Sequence, residues 1–341
     1  MSKVPSCPAA WCGIDVSALQ LVVALQRGEL PVQQRTFSNR SSGHRELLRW
    51  LQRSNVTVRV CLEATRVYSL DLALSLHACS SIELAVLNPK AVCRFAETLR
   101  RSKTDPADAL VLLDYSRRMP WQPWQPPSAT AMTLRSITRR CAALTRQHTM
   151  EANRLHAAQA SGTVPRCVQQ DLKQSLQQIE RRLKRLQHAA REMVAQTAES
   201  EQRYTLLRSI PGIGESSALQ LLGELGTLPP DLDVRQWVAH SGLDPLHHES
   251  GSSVHRPAHI SRAGNRHLRR ALYMPALVGV RFDPYLHAFY ERLLARHKTK
   301  LQAIIAAARK ILHAIFGMFR SRSHYEGSRL FPQLKPVITA A

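Results

Sequence analysis

The stretch WCGIDVSALQLVVALQR, residues 11–27, decides the fold of the N-terminal third of the chain. It contains two apolar segments on either side of a polar turn at Ser17, and their Val, Ile and Leu content favours β-strands. The segment LPVQQRTFSN, residues 30–39, continues the same pattern. The sequence therefore predicts that the fold begins with three consecutive strands.

Helices and strands alternate after these three strands. The predicted helices are GHRELLRWLQRS at 43–54, VYSLDLALSLHAC at 67–79 and KAVCRFAETLRR at 90–101, and the predicted strands are VTVRVCLEAT at 56–65 and SIELAVLNP at 81–89. The order β-β-β-α-β-α-β-α is typical of a mixed sheet with helices on both faces. We assign residues 10–118 to this α/β domain.

The middle of the chain predicts a helical hairpin. MPWQPWQPPSA, residues 119–129, is rich in Pro and Trp and marks a domain boundary. Two long segments, 130–160 and 168–198, carry apolar residues at near-heptad spacing, and SGTVPR lies between them. This pattern favours an antiparallel, coiled-coil-like pair of helices that mediates self-association or a partner contact. We assign residues 119–203 to the linker and this hairpin.

Residues 204–325 predict a mainly helical domain. YTLLRSIPGIGESSALQLLGELG, residues 204–226, resembles a helix-hairpin-helix, in which Gly212 and Gly214 bring the backbone close to a phosphate. An ordinary glycine turn between packed helices is the alternative. A Ser- and His-rich segment, 240–261, is predicted to be a loop. The basic helix NRHLRRALYMPALVGVR at 265–281 follows, and the helix KLQAIIAAARKILHAIFGMFR at 300–320 closes the core.

The bulk composition points to a nucleic-acid partner. The chain has 47 Lys and Arg residues against 25 Asp and Glu residues, which gives a net charge of +22. Its seven cysteines form no C-x-x-C pair, so free thiols are expected rather than a disulfide framework or a zinc site. No apolar run is long enough for a membrane helix and no signal peptide is evident, which predicts a cytoplasmic protein without membrane association.

Four carboxylates form the candidate catalytic centre. Asp15 lies within the first predicted strand, Glu63 ends the fourth, and Asp105 and Asp108 share one face at the start of a predicted helix. A solvated helix start, which favours Asp in its first turn, is the alternative for the last two. If the first and fourth strands are neighbours, however, all four groups meet near the strand ends. Their mutual repulsion would be relieved by Mg²⁺ or Mn²⁺.

Such a centre is suited to phosphodiester chemistry. Two divalent ions about 4 Å apart can hold the attacking and leaving oxygens of an in-line displacement. This is the arrangement of ribonuclease-H-like enzymes. The sequence therefore predicts a metal-dependent enzyme that acts on nucleic acid.

Several blocks of the sequence resemble one enzyme family. GIDVS, LEATRVY and RRSKTDPADA resemble the three N-terminal blocks of the Asp-Glu-Asp-Asp transposases of insertion-sequence family 110, relatives of the Piv-type DNA invertases. The C-terminal blocks that resemble this family are SIPGIGESSALQLLGELG, HSGLDP, ESG and ISRAGNRHLRRALY. The resemblance covers roughly residues 10–325 and implies an N-terminal domain like that of the resolvase RuvC. Arg66 departs from the pattern, because the family usually has glycine there; the turn after Glu63 is altered or Arg66 contacts phosphate.

The resemblance also implies a second catalytic group. A serine in the C-terminal domain, here Ser250, would attack DNA and form a covalent phosphoserine. The acidic site would activate it if the two domains meet, within or between subunits. Ser241, Ser252 and Ser253 are alternative positions for this serine, and the segment is otherwise simply a loop.

Basic and glycine residues are expected to contact nucleic acid. Arginines on the helix after Gly264 are suited to clamping phosphates, and a solvated basic face is the alternative. We interpret His247, His248, His255 and His259 as histidines near phosphate rather than zinc ligands. The expected nucleic-acid-binding residues are Lys103, Gly212, Gly214, Arg262, Asn265, Arg266 and Arg269, with Arg270 on the same helix.

Together these features predict the transposase of an insertion sequence. The resemblance implies Mg²⁺-dependent strand cleavage and exchange, guidance by a non-coding RNA from the element, and assembly into a dimer or tetramer. The alternatives are a RuvC-like structure-selective nuclease that uses water, a site-specific DNA invertase, and a nucleic-acid-binding protein with a decayed active site.

Overall fold

The structure is a computed structural model that describes residues 9–54, 56–64, 68–99, 104–250 and 254–333. The chain divides into two compact units, residues 1–126 and 127–341. The first unit contains strands β1 (Ala10–Val16), β2 (Gln20–Arg27), β3 (Gln33–Ser38), β4 (Val58–Glu63) and β5 (Ile82–Leu87), and helices α1 (Ser41–Leu51), α2 (Leu70–His77), α3 (Pro89–Leu99) and α4 (Asp105–Arg118).

These strands form one mixed sheet in the order β3-β2-β1-β4-β5. β2 pairs antiparallel with β1 and β3, whereas β4 pairs parallel with β1 and β5. The three N-terminal strands, the alternation that follows them and the mixed sheet predicted from the sequence are confirmed. The core beside the sheet is aliphatic, and Ile14, Leu25 and Leu62 are fully buried in it.

The second unit is mostly helical. It contains helices α5 (Ala129–Ala160), α6 (Arg166–Ala195), α7 (Ala198–Arg208), α8 (Glu215–Leu225), α9 (Val234–Ser241), α10 (Arg266–Phe282), α11 (Pro284–Ala295), α12 (Lys300–Ser321) and α13 (Gly327–Leu330), with strands β6 (Pro245–Ser250) and β7 (Val254–Ile260). The predicted helical hairpin is present, and its helices run antiparallel. Near the middle of the helices, His148 Nε2 of α5 lies 3.1 Å from Glu180 Oε1 of α6. Nearer the connection, the later residue Ala158 of α5 meets the earlier residue Gln169 of α6, whose Nε2 donates to the Ala158 carbonyl oxygen at 3.3 Å.

The hairpin belongs to the same compact unit as the C-terminal helices. Leu134 of α5 shares a core with Leu207, Leu222 and Leu272 of the helices that follow. The division into residues 10–118, 119–203 and 204–325 stays a prediction.

The prediction of a loop over residues 240–261 was wrong. β6 and β7 pair antiparallel there, with a bulge between Leu246 and His248. The many His and Ser residues obscured the short strands, because a hairpin of this length needs little apolar alternation when its backbone hydrogen bonds carry the pairing.

Within the part of the chain that the structure describes, α12 alone is long and apolar enough to cross a membrane. Ile304, Ile311 and Ile315 of this helix are buried in the core of the second unit. The apolar character of α12 is therefore explained by its place in the core of this unit.

Candidate functional site

Two of the predicted carboxylates lie at one edge of the sheet. Asp15 is the penultimate residue of β1 and Glu63 is the last residue of β4. These strands are parallel neighbours with Ile14 opposite Leu62, so Asp15 and Glu63 follow one paired position. Both side chains are partly exposed. The carboxyl ends of parallel strands meet at the same edge of a sheet, and for this reason the positions of Asp15 and Glu63 could be predicted from the sequence.

Helix α4 brings the other two carboxylates toward the same edge. It crosses β1 so closely that a Cβ atom at Gly13 would clash with the Ala109 carbonyl oxygen and the Leu113 amide nitrogen. Asp108 precedes this contact and is half-buried, whereas Asp105 begins the helix and is exposed. The absence of a side chain at Gly13 therefore sets the distance between α4 and the strand that carries Asp15.

Sequence reasoning missed two residues that fix α4 on the sheet. Gln34 Nε2 of β3 donates a hydrogen bond of 2.9 Å to the Pro106 carbonyl oxygen at the helix start. Arg117 Nη1 donates to Gln26 Oε1 at 2.8 Å near the helix end, and its guanidinium lies 5.4 Å from the Trp11 ring centroid. Contacts 72 and 91 residues apart leave no local signal in the sequence.

The four carboxylates interact electrostatically. The pKa of Asp15 is raised from 3.8 to about 6, first by burial and then by the charges of Asp105, Asp108 and Glu63, whereas a hydrogen bond from the Val16 backbone opposes the rise. The arrangement therefore concentrates negative charge around Asp15. Such a cluster has the electrostatics of a cation site or a proton acceptor.

The donor set fits a hard divalent cation, since all four side chains offer carboxylate oxygens. Among the described residues, however, no three His, Cys, Asp or Glu side chains are close enough to hold a metal ion as they stand. The electrostatic interaction acts over longer distances than coordination does. Binding a cation would therefore require the carboxylates to come closer together, and the positive charge of the cation would offset their repulsion. Lys103 and Arg66, the nearby basic residues singled out in the sequence, lie outside the described residues.

Ser250 ends β6 and its backbone pairs with Val254 of β7. The structure does not describe the side chains of Ser250, His247, His248 and His255. Residues 251–253, which include Ser252 and Ser253, lie outside the described residues altogether. His259 is described and exposed.

The surroundings of Ser241 do not suit a nucleophilic serine. It is fully buried, and its hydroxyl donates to the Val238 carbonyl oxygen at 2.7 Å and accepts from the Leu243 amide at 3.3 Å. A buried hydroxyl with both roles occupied cannot reach a phosphodiester in this conformation. Ser241 instead stabilises the end of α9.

The two ends of the β6–β7 hairpin are tied together by the residues that flank it. The backbone N–H of Asn265 donates to the His240 carbonyl oxygen at 2.5 Å, and Arg269 Nη1 donates to the Ser241 carbonyl oxygen at 2.8 Å. Asn265 Oδ1 also caps α10 by accepting from the amides of His267 and Leu268. Asn265 and Arg269, both expected to contact nucleic acid, thus have structural contacts within the protein.

A buried acid, which the sequence analysis did not single out, connects this junction to α5. Glu224 is fully buried and accepts from Arg139 Nε at 2.6 Å, from Arg139 Nη2 at 2.8 Å and from Asn265 Nδ2 at 2.7 Å. Burial alone would raise the pKa of Glu224, but these hydrogen bonds outweigh it and hold the pKa below its usual value. A single acid in the apolar segment LQLLGELG was the available signal.

The remaining basic and glycine residues differ in exposure. Arg266, the first residue of α10, and Arg262, four residues before it, are both exposed. Gly212 has φ +95° and faces α10, where a Cβ atom would lie 2.6 Å from the Pro275 carbonyl oxygen. Gly214 is exposed and precedes α8, so its surroundings are the ones open to a phosphate.

Family models and known proteins match most of the chain. A transposase family model of the Asp-Glu-Asp-Asp IS110 type matches residues 12–161, and a model described as Transposase IS116/IS110/IS902 family matches residues 204–291. The pilin gene-inverting proteins of Moraxella bovis and Moraxella lacunata are each 30% identical over 300 residues, which span 85% of this chain and 90% of the relative.

An insertion-element protein is also similar to part of the chain. The insertion element IS110 uncharacterized 43.6 kDa protein of Streptomyces coelicolor is 35% identical over 121 residues, or 36% of this chain and 30% of the relative. The two family models together reach both compact units, and the Moraxella relatives cover most of the chain. The chain therefore belongs to the IS116/IS110/IS902 family of transposases, and it is a DNA recombinase.

Proposed function

We propose that the chain cuts and exchanges DNA strands at the ends of an insertion element through a covalent phosphoserine. The observation that carries this proposal is the electrostatic interaction of Asp15 with Asp105, Asp108 and Glu63. Four acidic groups whose charges interact around Asp15 are costly to a fold unless they bind a cation or move protons. The ribonuclease-H-like, RuvC-like character of the first unit is part of the same proposal, and the mixed sheet supports it.

The carboxylates Asp15, Glu63, Asp105 and Asp108 would hold Mg²⁺ or Mn²⁺. When bound, the metal supplies electrophilic stabilisation of the phosphodiester oxygens. In the proposed reaction the Ser250 hydroxyl oxygen forms a bond to phosphorus, and the bond from phosphorus to the leaving DNA oxygen breaks. The serine hydroxyl gives its proton to a general base and the leaving oxygen takes up a proton. Reversal by another DNA hydroxyl restores the serine and conserves the bond energy.

A covalent-trapping experiment tests this reaction. The protein is incubated with labelled element-end DNA and Mg²⁺, denatured, and examined for protein–DNA adducts. We expect an adduct in the wild-type protein, and none in Ser250→Ala, in Asp105→Asn or in EDTA. Asp114→Asn, on the same helix and outside the cluster, is the matched control and should retain the adduct. DNA cleavage without an adduct, unchanged in Ser250→Ala, would instead identify a nuclease that uses water.

Site-specific inversion is the second candidate function. The relatives that cover most of the chain are pilin gene-inverting proteins. Inversion and transposition would share the same chemistry and differ in the arrangement of the DNA sites. A plasmid carrying two inverted sites distinguishes them, because inversion leaves the intervening segment in place with its orientation reversed.

The partners follow from the charge and from the reaction. The net charge of +22 supports binding of the DNA ends and of a guide RNA encoded by the element, and exchange between two duplexes supports a dimer or tetramer in the cytoplasm. RNA that copurifies with the protein and is required for adduct formation would support the guide. Light scattering with and without DNA tests the assembly.

A further inference from the structure

A cavity of about 310 Å³ lies within the second unit among helices α5, α6, α8 and α10. Its walls include Ala142 of α5, Ala190 of α6 and Leu219 of α8, which make an apolar interior. Its volume is at the lower end of the range for small-ligand sites. The cavity therefore suits a small ligand with apolar faces.

The interior also carries a polar group whose hydrogen bonding is incomplete. Within the described part of the chain, Nε2 of Gln220 is buried and has no hydrogen-bond partner. Gln220 lines the cavity. A buried amide nitrogen without a partner is unfavourable, and rotation of the Gln220 side-chain amide toward the cavity would let a bound ligand accept the missing hydrogen bond. The same amide also has an oxygen acceptor, and a glutamine side chain can therefore pair with a planar group that has adjacent donors and acceptors.

The mouth of the cavity is suited to a phosphate. Arg270 lines it and is exposed, and Arg266 lies one turn earlier on the same helix. Ser216 and Ser217, in the first turn of the 11-residue helix α8, line it as well. A guanidinium, two hydroxyls and a helix N-terminus are all favourable to an anion. Tyr273, on the same helix as Arg270, adds an aromatic ring to the lining.

We propose that this cavity binds a single nucleobase turned out of a DNA or RNA strand, with the adjacent phosphate on Arg270. A nucleobase has two apolar faces and a polar edge, which matches the Ala142, Ala190 and Leu219 walls and the Gln220 amide. The strand backbone would follow the exposed arginines of α10 to the mouth. The inference rests on the proposed nucleic-acid function, but it requires neither the carboxylate cluster nor Ser250.

The test measures nucleotide binding to the full-length protein by saturation-transfer NMR. The probes are AMP, GMP, CMP and TMP, with ribose 5-phosphate as the ligand without a base. We expect saturation to be strongest at the base protons and affinity to exceed that of ribose 5-phosphate by at least about tenfold. Equal binding of ribose 5-phosphate, or saturation mainly at ribose protons, would overturn the proposal because it would reveal a phosphate site alone.

Filling the cavity provides the matched comparison. Ala142→Phe places a ring inside it, whereas Ala157→Phe adds the same ring at an exposed position of α5. We expect base-proton saturation to be lost in the first variant and retained in the second. Equal saturation in both would place the bound nucleotide elsewhere and refute the assignment.

Gln220→Leu provides a second route if Ala142→Phe does not fold, as judged by its melting curve. It keeps the side-chain size and removes the amide, so it should fold and bind every base more weakly and with less discrimination among the four. Unchanged affinity and discrimination would count against the cavity. Because no cleavage is needed, nucleotide binding together with a failed trapping experiment would leave this site standing while the proposed reaction fell.

Discussion

At the residue scale, the raised pKa of Asp15 makes a prediction about stability and pH. Its pKa rises from 3.8 to about 6 in the folded protein, mainly through burial and then through the neighbouring carboxylates. Neutral Asp15 therefore stabilises the metal-free fold below about pH 4, and this contribution is lost as the pH rises through 6. We expect Asp15→Asn to melt at a higher temperature than wild type at pH 7 in EDTA, with the difference narrowing toward pH 4, as measured by differential scanning fluorimetry.

The effect of Mg²⁺ on the melting temperature provides a second test of Asp15. Mg²⁺ should raise the melting temperature of the wild-type protein by mass action and should have a smaller effect on Asp15→Asn. Asp114→Asn, which removes the ion-pair partner of the exposed Arg118, serves as the control and should follow wild type in both respects. Parallel pH curves for wild type and Asp15→Asn would contradict the raised pKa of Asp15.

The carboxylates and the buried acid differ in how far the sequence could predict them. Asp15 and Glu63 could be predicted from the sequence because each interrupts or ends an apolar strand, where a charge is costly unless it has a function. Glu224 also interrupts an apolar segment. Its role depends on Arg139, 85 residues earlier, and no pattern within α8 indicates that partner.

At the element scale, the packing of α4 on β1 depends on Gly13. A methyl group there would collide with the backbone of Ala109 and Leu113, so Gly13→Ala must displace the helix. We expect a loss of about 1–3 kcal/mol in the free energy of unfolding of the first unit, measured by urea denaturation with tryptophan fluorescence. DNA cleavage should also fall, since Asp105 and Asp108 move with the helix. Gly162→Ala, where a Cβ atom has open space, should change neither property.

The Glu224–Arg139 pair makes a second prediction at this scale. Arg139→Met leaves a fully buried carboxylate without its bidentate partner, and breaking such a pair costs about 3–5 kcal/mol. The double variant Arg139→Met with Glu224→Met removes the buried charge and should regain most of this loss. Urea denaturation of the two variants measures both effects. A double variant as unstable as Arg139→Met would mean that the apolar replacements do not fit the site.

Elements with strong local patterns were predictable and those fixed by distant contacts were not. The five-stranded sheet and the α5–α6 pair follow from apolar periodicity. The β6–β7 hairpin escaped prediction because its stability comes from its own pairing and from the junction that Asn265 and Arg269 make with the end of α9. Local sequence carries no record of that junction.

At the scale of the whole molecule, the net charge of +22 predicts binding that is strongly dependent on salt. Each phosphate contact releases counterions, so the logarithm of the DNA affinity should fall linearly with the logarithm of salt concentration. Arg266→Gln should reduce the magnitude of this slope by about 0.9, because it removes one exposed contact from α10. Fluorescence anisotropy over a salt series measures it. Arg329→Gln removes the same charge from a residue paired with Glu326, and it should leave the slope unchanged. If both variants reduced the slope equally, overall charge rather than the α10 surface would govern binding, and Arg266 would have no place in the interface.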